Sequence, residues 1–160
     1  MNRVAVIMGS ANDLDTLRGG VAVLDELGID REVRVVSAHR TPVEMCQFAQ
    51  QARSEGFAVI IAAAGGAAHL PGMVAAQTTL PVIGVRVPAT ALAGTDALLS
   101  IAQMPKGTPV ATMAIGAPGA INAAVFAAQI LAVHDADLAA RLAARKEQAR
   151  QTVVAQELDV

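Results

Sequence analysis

Three short segments bring together residue types that move protons and hold anions. Ser37-Ala38-His39-Arg40-Thr41 sets an imidazole beside a guanidinium. An imidazole, with an ordinary pKa of about 6.5, can give and take a proton within one cycle at neutral pH. A guanidinium forms paired, charge-assisted hydrogen bonds to phosphate or carboxylate. Gly9-Ser10-Ala11-Asn12-Asp13 reads as a strand-to-helix turn, where free backbone N–H groups and the helix dipole favour an anion. Ser10 and Asn12 can donate to a monophosphate, while Asp13 would repel phosphate but can accept from ribose hydroxyls. AGGAAHLPG at 64–72 supplies His69, beside Gly65, Gly66, Ala67 and Leu70, in a loop whose backbone can approach a ligand closely.

Each segment also has a plainer reading. Ser10, Asn12 and Asp13 are ordinary helix-capping types, Arg40 suits a surface ion pair, and a histidine at a strand end commonly makes a structural hydrogen bond. His134 falls at an expected helix C-terminus, where the dipole favours its charge, and reads as structural. Cys46 has no sequence neighbour that marks an activated thiol. Neither a P-loop lysine pattern nor GxGxxG occurs, so triphosphate and dinucleotide readings lack support. Three histidines on separate elements, no clustered carboxylates and a single cysteine argue against a metal centre or a disulfide framework.

The elements that must position these loops alternate. RVAVIM at 3–8 reads as a buried strand. Asn12 or Asp13 is the expected cap of a following helix in which Leu14, Leu17, Val21 and Leu24 recur at helical spacing. Gly19 and Gly20 weaken that helix by about 1 kcal/mol each relative to Ala, so close packing is their expected purpose. EVRVVS at 32–37 is a second strand, and Thr41-Pro42-Val43-Glu44 predicts a helix start with a capping box. AVIIAA at 58–63 suits a strand covered on both faces. Two further strands, 81–85 and 109–115, each open on a proline, and helices are expected over 118–133 and from Asp135 onward. Strand–helix alternation predicts a parallel α/β sheet, whose site lies at the carboxyl ends of the strands, where the three loops converge.

The chain has 160 residues, 54% hydrophobic and 16% charged with net charge −2, which predicts one domain over 1–160 rather than a disordered chain. Thirty-five residues are Ala and only 2% are aromatic, so stacking platforms and a basic stripe for nucleic acid are lacking. Pro109, Gly116, Pro118 and Gly119 break the longest uncharged stretch, leaving no membrane span, and the N-terminus lacks secretory features, so a cytoplasmic protein is expected. From 56 to 133 the only formal charges are Arg86, Asp96 and Lys106. A surface so poor in charge predicts burial against further copies of the chain.

The motifs then resemble a known family, the class I N5-carboxyaminoimidazole ribonucleotide mutases of purine biosynthesis, also described as the catalytic subunit of phosphoribosylaminoimidazole carboxylase. The resemblance is carried by MGSxxD at 8–13, VSAHRTP at 36–42, AGGAAHLPGM at 64–73, QMPxGxPVxTxAIG at 103–116 and GAxNAAxxAAQILA at 119–132. It covers nearly the whole chain, in order. Asn12 stands where the family usually has a second serine, Leu14 where an aromatic is common, Ala63 and Ala111 where glycines are frequent, and Arg86 where proline is frequent. Arg40 and the intact GGAAHLPG distinguish the chain from class II members, which carboxylate with free CO2.

The resemblance implies a flavodoxin-like α/β/α sandwich with strand order 2-1-3-4-5, assembled as a homo-octamer with sites at subunit boundaries. The sparse anchors Leu138, Leu142, Ala149 and Val153 suggest that the 135–160 helical extension crosses to a neighbouring subunit. Family roles place Ser10, Asp13 and Arg40 on the ribose phosphate of an aminoimidazole ribonucleotide, with Asn12 in the matching serine's place. They place Ser37, Ala38, His39, Gly65, Gly66, Ala67, His69 and Leu70 around the imidazole and the migrating carboxylate, with Gly9 in the phosphate loop. No metal, nucleotide or biotin cofactor is implied. The unstable substrate leaves room for a transient hand-over from the preceding carboxylating synthetase. Within this scheme His39 is the expected general acid and base, and His69 positions the loop or a water.

Overall fold

The computed structural model describes residues 3–157, so Met1, Asn2 and the last three residues of the 135–160 extension lie outside it. Five strands, β1 (Arg3–Met8), β2 (Arg31–Val35), β3 (Phe57–Gly65), β4 (Val82–Val87) and β5 (Ala111–Ile115), form one sheet. Every pairing is parallel and the order is β2-β1-β3-β4-β5, the flavodoxin-like arrangement. Among the described residues six α-helices connect and flank the strands: α1 (Leu14–Glu26), α2 (Pro42–Gln51), α3 (His69–Ala75), α4 (Thr95–Ala102), α5 (Ala117–Ala132) and α6 (Ala136–Val154).

Alternation along the strands divides the interior in two. Val59, Ile61 and Ala63 of β3 join Leu17 and Leu24 of α1 and Ala123, Ala124 and Ala127 of α5. Ile60, Ala62 and Ala64 face Met45 and Phe48 of α2, Leu70 and Val74 of α3, and Ala97 and Ile101 of α4. The α1–α5 contact uses small residues to bring helix backbones together. A β-carbon at Gly20 would run into the carbonyl of Ala120 there, and where α5 meets β5 one at Gly119 would run into the carbonyl of Ala114. Close packing therefore explains Gly20 despite its cost in helix propensity.

Several local expectations are corrected. Pro81 and Pro109 precede their strands instead of opening them, β3 and β4 run on to Gly65 and Val87, and β2 stops at Val35. Residues 69–72, expected as the end of a loop, belong to α3, and α4 had not been expected. Ala97 and Ile101, four residues apart and both buried, are the pattern that marks α4. Helix α6 is capped by Asp135, whose Oδ1 accepts from Leu138 N–H at 2.9 Å, and among its residues Leu138 alone is buried. Leu142 packs partly against the core, while Ala149 and Val153 are exposed. No described helix is long and apolar enough to cross a membrane.

Candidate active site

The loops that follow β1, β2 and β3 meet around a cavity of about 360 Å³. Gly9, Asp13, Ser37, Ala38, His39, Arg40, Gly65, His69 and Leu70 line it, together with Ala64, Ala68 and Ala89. Ser10, Asn12, Gly66 and Ala67 belong to the same loops without forming the cavity wall.

The β1 loop is tied by its own side chains. Ser10 Oγ accepts from Asn12 N–H at 3.3 Å, and Asp13 Oδ2 accepts from Ser10 N–H at 3.2 Å. This reciprocal box caps a single 3₁₀ turn, Ala11–Asp13, and α1 begins without a side-chain cap. The expectation that Asn12 or Asp13 caps α1 is thus corrected, because Asp13 turns back toward Ser10. Burial pushes the Asp13 carboxyl above its ordinary range, and the Ser10 N–H and the Arg40 charge draw it partly back.

Arg40 joins two loops. Its Nη2 donates to Gly9 O at 2.6 Å and its Nε to Ser37 Oγ at 3.3 Å, leaving outer donors of the exposed guanidinium for a ligand. Thr41, expected to form a capping box with Glu44, makes no side-chain cap. Its Oγ1 instead donates to Ser37 O at 3.1 Å and accepts from Ser37 N–H at 3.2 Å. Thr41 therefore closes the turn that presents His39, and that competing demand removes it from the helix end.

Across the cavity the β3 loop turns through two left-handed residues, Gly66 at φ 62° and Ala68 at φ 45°. Such a conformation costs an alanine roughly 1–2 kcal/mol, so its surroundings must hold it. Ala68 N–H donates to Gly65 O at 3.1 Å, and Ser100 Oγ on α4 donates to Ala67 O. A β-carbon at Gly65 would stand 2.8 Å from both Val87 O and the Ala89 methyl, so glycine is required for this loop to lie against β4. Ser100 is a positioning residue that no local sequence pattern revealed, because it acts on a backbone group thirty-three positions away, whereas Thr41 acts within its own turn, on Ser37.

The two loops join at the histidines. His39 Nε2 and His69 Nδ1 are 2.7 Å apart and share one hydrogen bond, with the rings edge to face at 84° and centroids 4.9 Å apart. One proton lies between those nitrogens, and the two outer ring nitrogens are left for a ligand. Both side chains are exposed in the cavity mouth. The arrangement can pass a proton to and from a bound molecule while Arg40 and backbone N–H groups hold an anion.

Other candidates lie elsewhere. His134 is exposed just beyond α5, and Cys46 is half-buried on α2 against the core. A larger groove of about 460 Å³, lined by Leu80, Pro81, Val82, Ala111, Phe126 and Ile130 among others, has no titratable residue. Among the described residues no three His, Cys, Asp or Glu side chains are grouped to hold a metal.

Comparison with known proteins identifies the family. The chain is 58% identical over 151 residues to an N5-carboxyaminoimidazole ribonucleotide mutase of Bacillus subtilis, covering 94% of this chain and 93% of that protein. It is 55% identical over 159 residues to a protein of the same name from Saccharolobus solfataricus, covering 99% of each. The crystal structure of Treponema denticola PurE superposes with a TM-score of 0.86 at 25% identity, covering 95% of this chain and 94% of that one. Residues 3–152 match the model of the AIR carboxylase family, AIRC, and the chain belongs to that family.

Proposed function

We propose that the chain is an N5-carboxyaminoimidazole ribonucleotide mutase, moving a carboxylate from the exocyclic nitrogen of the substrate to its ring carbon in purine biosynthesis. The observation that carries this reading is the His39–His69 pair, 2.7 Å apart and beside Arg40 in one cavity. The names and identities of the relatives support it.

The chemistry follows from the substrate. The carbamate C–N bond breaks, its electrons stay on nitrogen, and His39 delivers a proton there as CO2 departs. An aminoimidazole is an enamine, so its ring carbon attacks the held CO2 without an electron-sink cofactor. His39 then recovers a proton from the newly carboxylated carbon, which restores the aromatic ring and the starting enzyme. General acid–base help of this kind is worth about 10²–10⁴-fold. Asp13 is the one carboxylate in the cavity wall, and it serves the ribose. Arg40, Ser10 and Asn12 take the phosphate, near Gly9. Ser37, Ala38, Gly65 and Leu70 enclose the imidazole and CO2 in a chamber of backbone and methyl groups, Gly66 and Ala67 shape the loop behind it, and His69 holds His39 in place.

The same reading treats the chain as a single mutase domain acting in the cytoplasm. A homo-octamer, with α6 crossing to a neighbour, accounts for exposed Phe126, Val153 and Val154 and for the charge-poor middle of the chain. A transient hand-over of substrate from the preceding carboxylating synthetase fits the instability of a carbamate. The deciding assay is conversion of the carbamate substrate by the purified chain without added bicarbonate. Turnover that instead starts from the uncarboxylated nucleotide and depends on bicarbonate assigns a carboxylase. Light scattering that gives the 16.3 kDa monomer at micromolar concentration overturns the octamer.

A further inference from the structure

Arg86 on β4 is the one charged residue buried among those described, at 7% exposure. Its Nε is covered and has no hydrogen-bond partner. Arg3 and Arg145 also bury an Nε without a hydrogen bond, but each lies beside carboxylates, Arg3 by Asp30 and Glu32 and Arg145 by Glu26. Arg86 has no such neighbour: burial draws its pKa down and no acidic group opposes that. A guanidinium nevertheless stays protonated in proteins, so the site carries an uncompensated positive charge.

Its place in the sheet relates that charge to the cavity. In the parallel register Arg86 lies beside Ala64, and Val87 beside Gly65. Val85 and Val87 belong to the core under α1 and α5, so Arg86 projects to the opposite face, the face of Ala64. Ala64 and Gly65 line the cavity. Arg40 bonds to the β1 and β2 loops at the other side. Arg40 thus stands in the cavity wall, and Arg86, outside that wall, lies one strand over from Ala64 on the same face of the sheet.

We propose that Arg86 determines specificity by setting a positive potential on the Ala64 side of the cavity, which favours carboxylated over uncarboxylated aminoimidazole ribonucleotides. This rests on the mutase reading, whose substrate carries a phosphate toward one end and a carboxylate at the other. Both the carbamate and the ring carboxylate are anionic, whereas the departing CO2 is neutral. Arg86 therefore strengthens binding of substrate and product and not of the intermediate stage, and its removal raises KM without lowering kcat.

The test compares the full native chain with Arg86→Met and Arg86→Lys. Calorimetric titration of the Met variant should show about tenfold weaker binding of the 4-carboxy product, and less than about twofold for the uncarboxylated nucleotide. The Lys variant, which keeps the cation, should retain most of the discrimination. The thermal midpoint of the Met variant should hold or rise, because an unpaired buried charge has been removed. Equal loss toward both nucleotides overturns the proposal, as does a lower midpoint accompanied by smaller species in light scattering, which would mean that a second copy answers the guanidinium. If the Met variant does not fold, Arg86→Gln is read by the same ratio. Failure of the native chain to convert the carbamate would defeat the mutase reading, whereas native turnover with unchanged discrimination in the variants defeats the Arg86 assignment alone.

Discussion

The loops at the carboxyl ends of β1–β3 and the helix α6 meet their demands in different ways. In the loops, polar groups find partners inside the chain: Ser10 with Asp13, Arg40 with Gly9 and Ser37, Thr41 with Ser37, His39 with His69. Helix α6 has 19 residues, of which Leu138 alone is buried, and its second half carries exposed Val153 and Val154. Arg141 Nε donates to Leu27 O at 3.0 Å and Arg145 lies 3.6 Å from Glu26, so its attachments are confined to the first half. Rigid placement of side chains in the loops serves chemistry. In the proposed assembly, the apolar residues left open on α6 serve contact with another copy of the chain.

Five substitutions can break or sharpen that contrast. The largest effect is expected from His39→Asn, which should lose at least about 10²-fold in turnover while binding nucleotide nearly normally, since proton transfer and not anion binding is removed. His69→Asn should lose less, and the reverse ranking would move the proton-transfer role to His69. Arg40→Ala should weaken nucleotide monophosphate binding by about 1.5–3 kcal/mol, the range for a charge-assisted hydrogen bond. An unchanged affinity in calorimetry would remove Arg40 from the phosphate.

Ser10→Ala should cost about 1 kcal/mol of the same affinity, because one neutral donor goes while backbone donors remain. A loss as large as that of Arg40→Ala would show that the loop itself had unravelled without its reciprocal box. Val153→Asp should leave nucleotide affinity unchanged within about 0.5 kcal/mol while shifting light scattering toward smaller species. An unchanged assembly would take the end of α6 out of the interface.

Legibility differed by element. Strand β1 was plain from the β-branched run RVAVIM, and α5 from its alanine-rich composition, because local residue type alone favours each. The site loops were legible as clusters of Gly, Ser, Asp, Arg and His at strand ends. Helix α3 was not, since Gly65, Gly66 and Pro71 suggest a loop and its start depends on the left-handed turn at Ala68. The Thr41–Glu44 box failed for a related reason. A threonine can satisfy only a few partners, and the turn at Ser37 claims this one.

Local composition and order along the chain sufficed to determine a parallel α/β protein with a candidate site at three loops, since each strand and turn draws on residues within a few positions of itself. Tertiary structure alone decided which side chains meet. His39 and His69 are thirty positions apart in the chain, and Arg40 reaches Gly9 across thirty-one. Parallel pairing brings β1 and β3 side by side and stacks their loop ends, and no pattern in the chain states that distance. Arg86 makes the same point in reverse. Its charge is plain in the sequence, but its burial without a partner appears only once β4 lies beside Ala64.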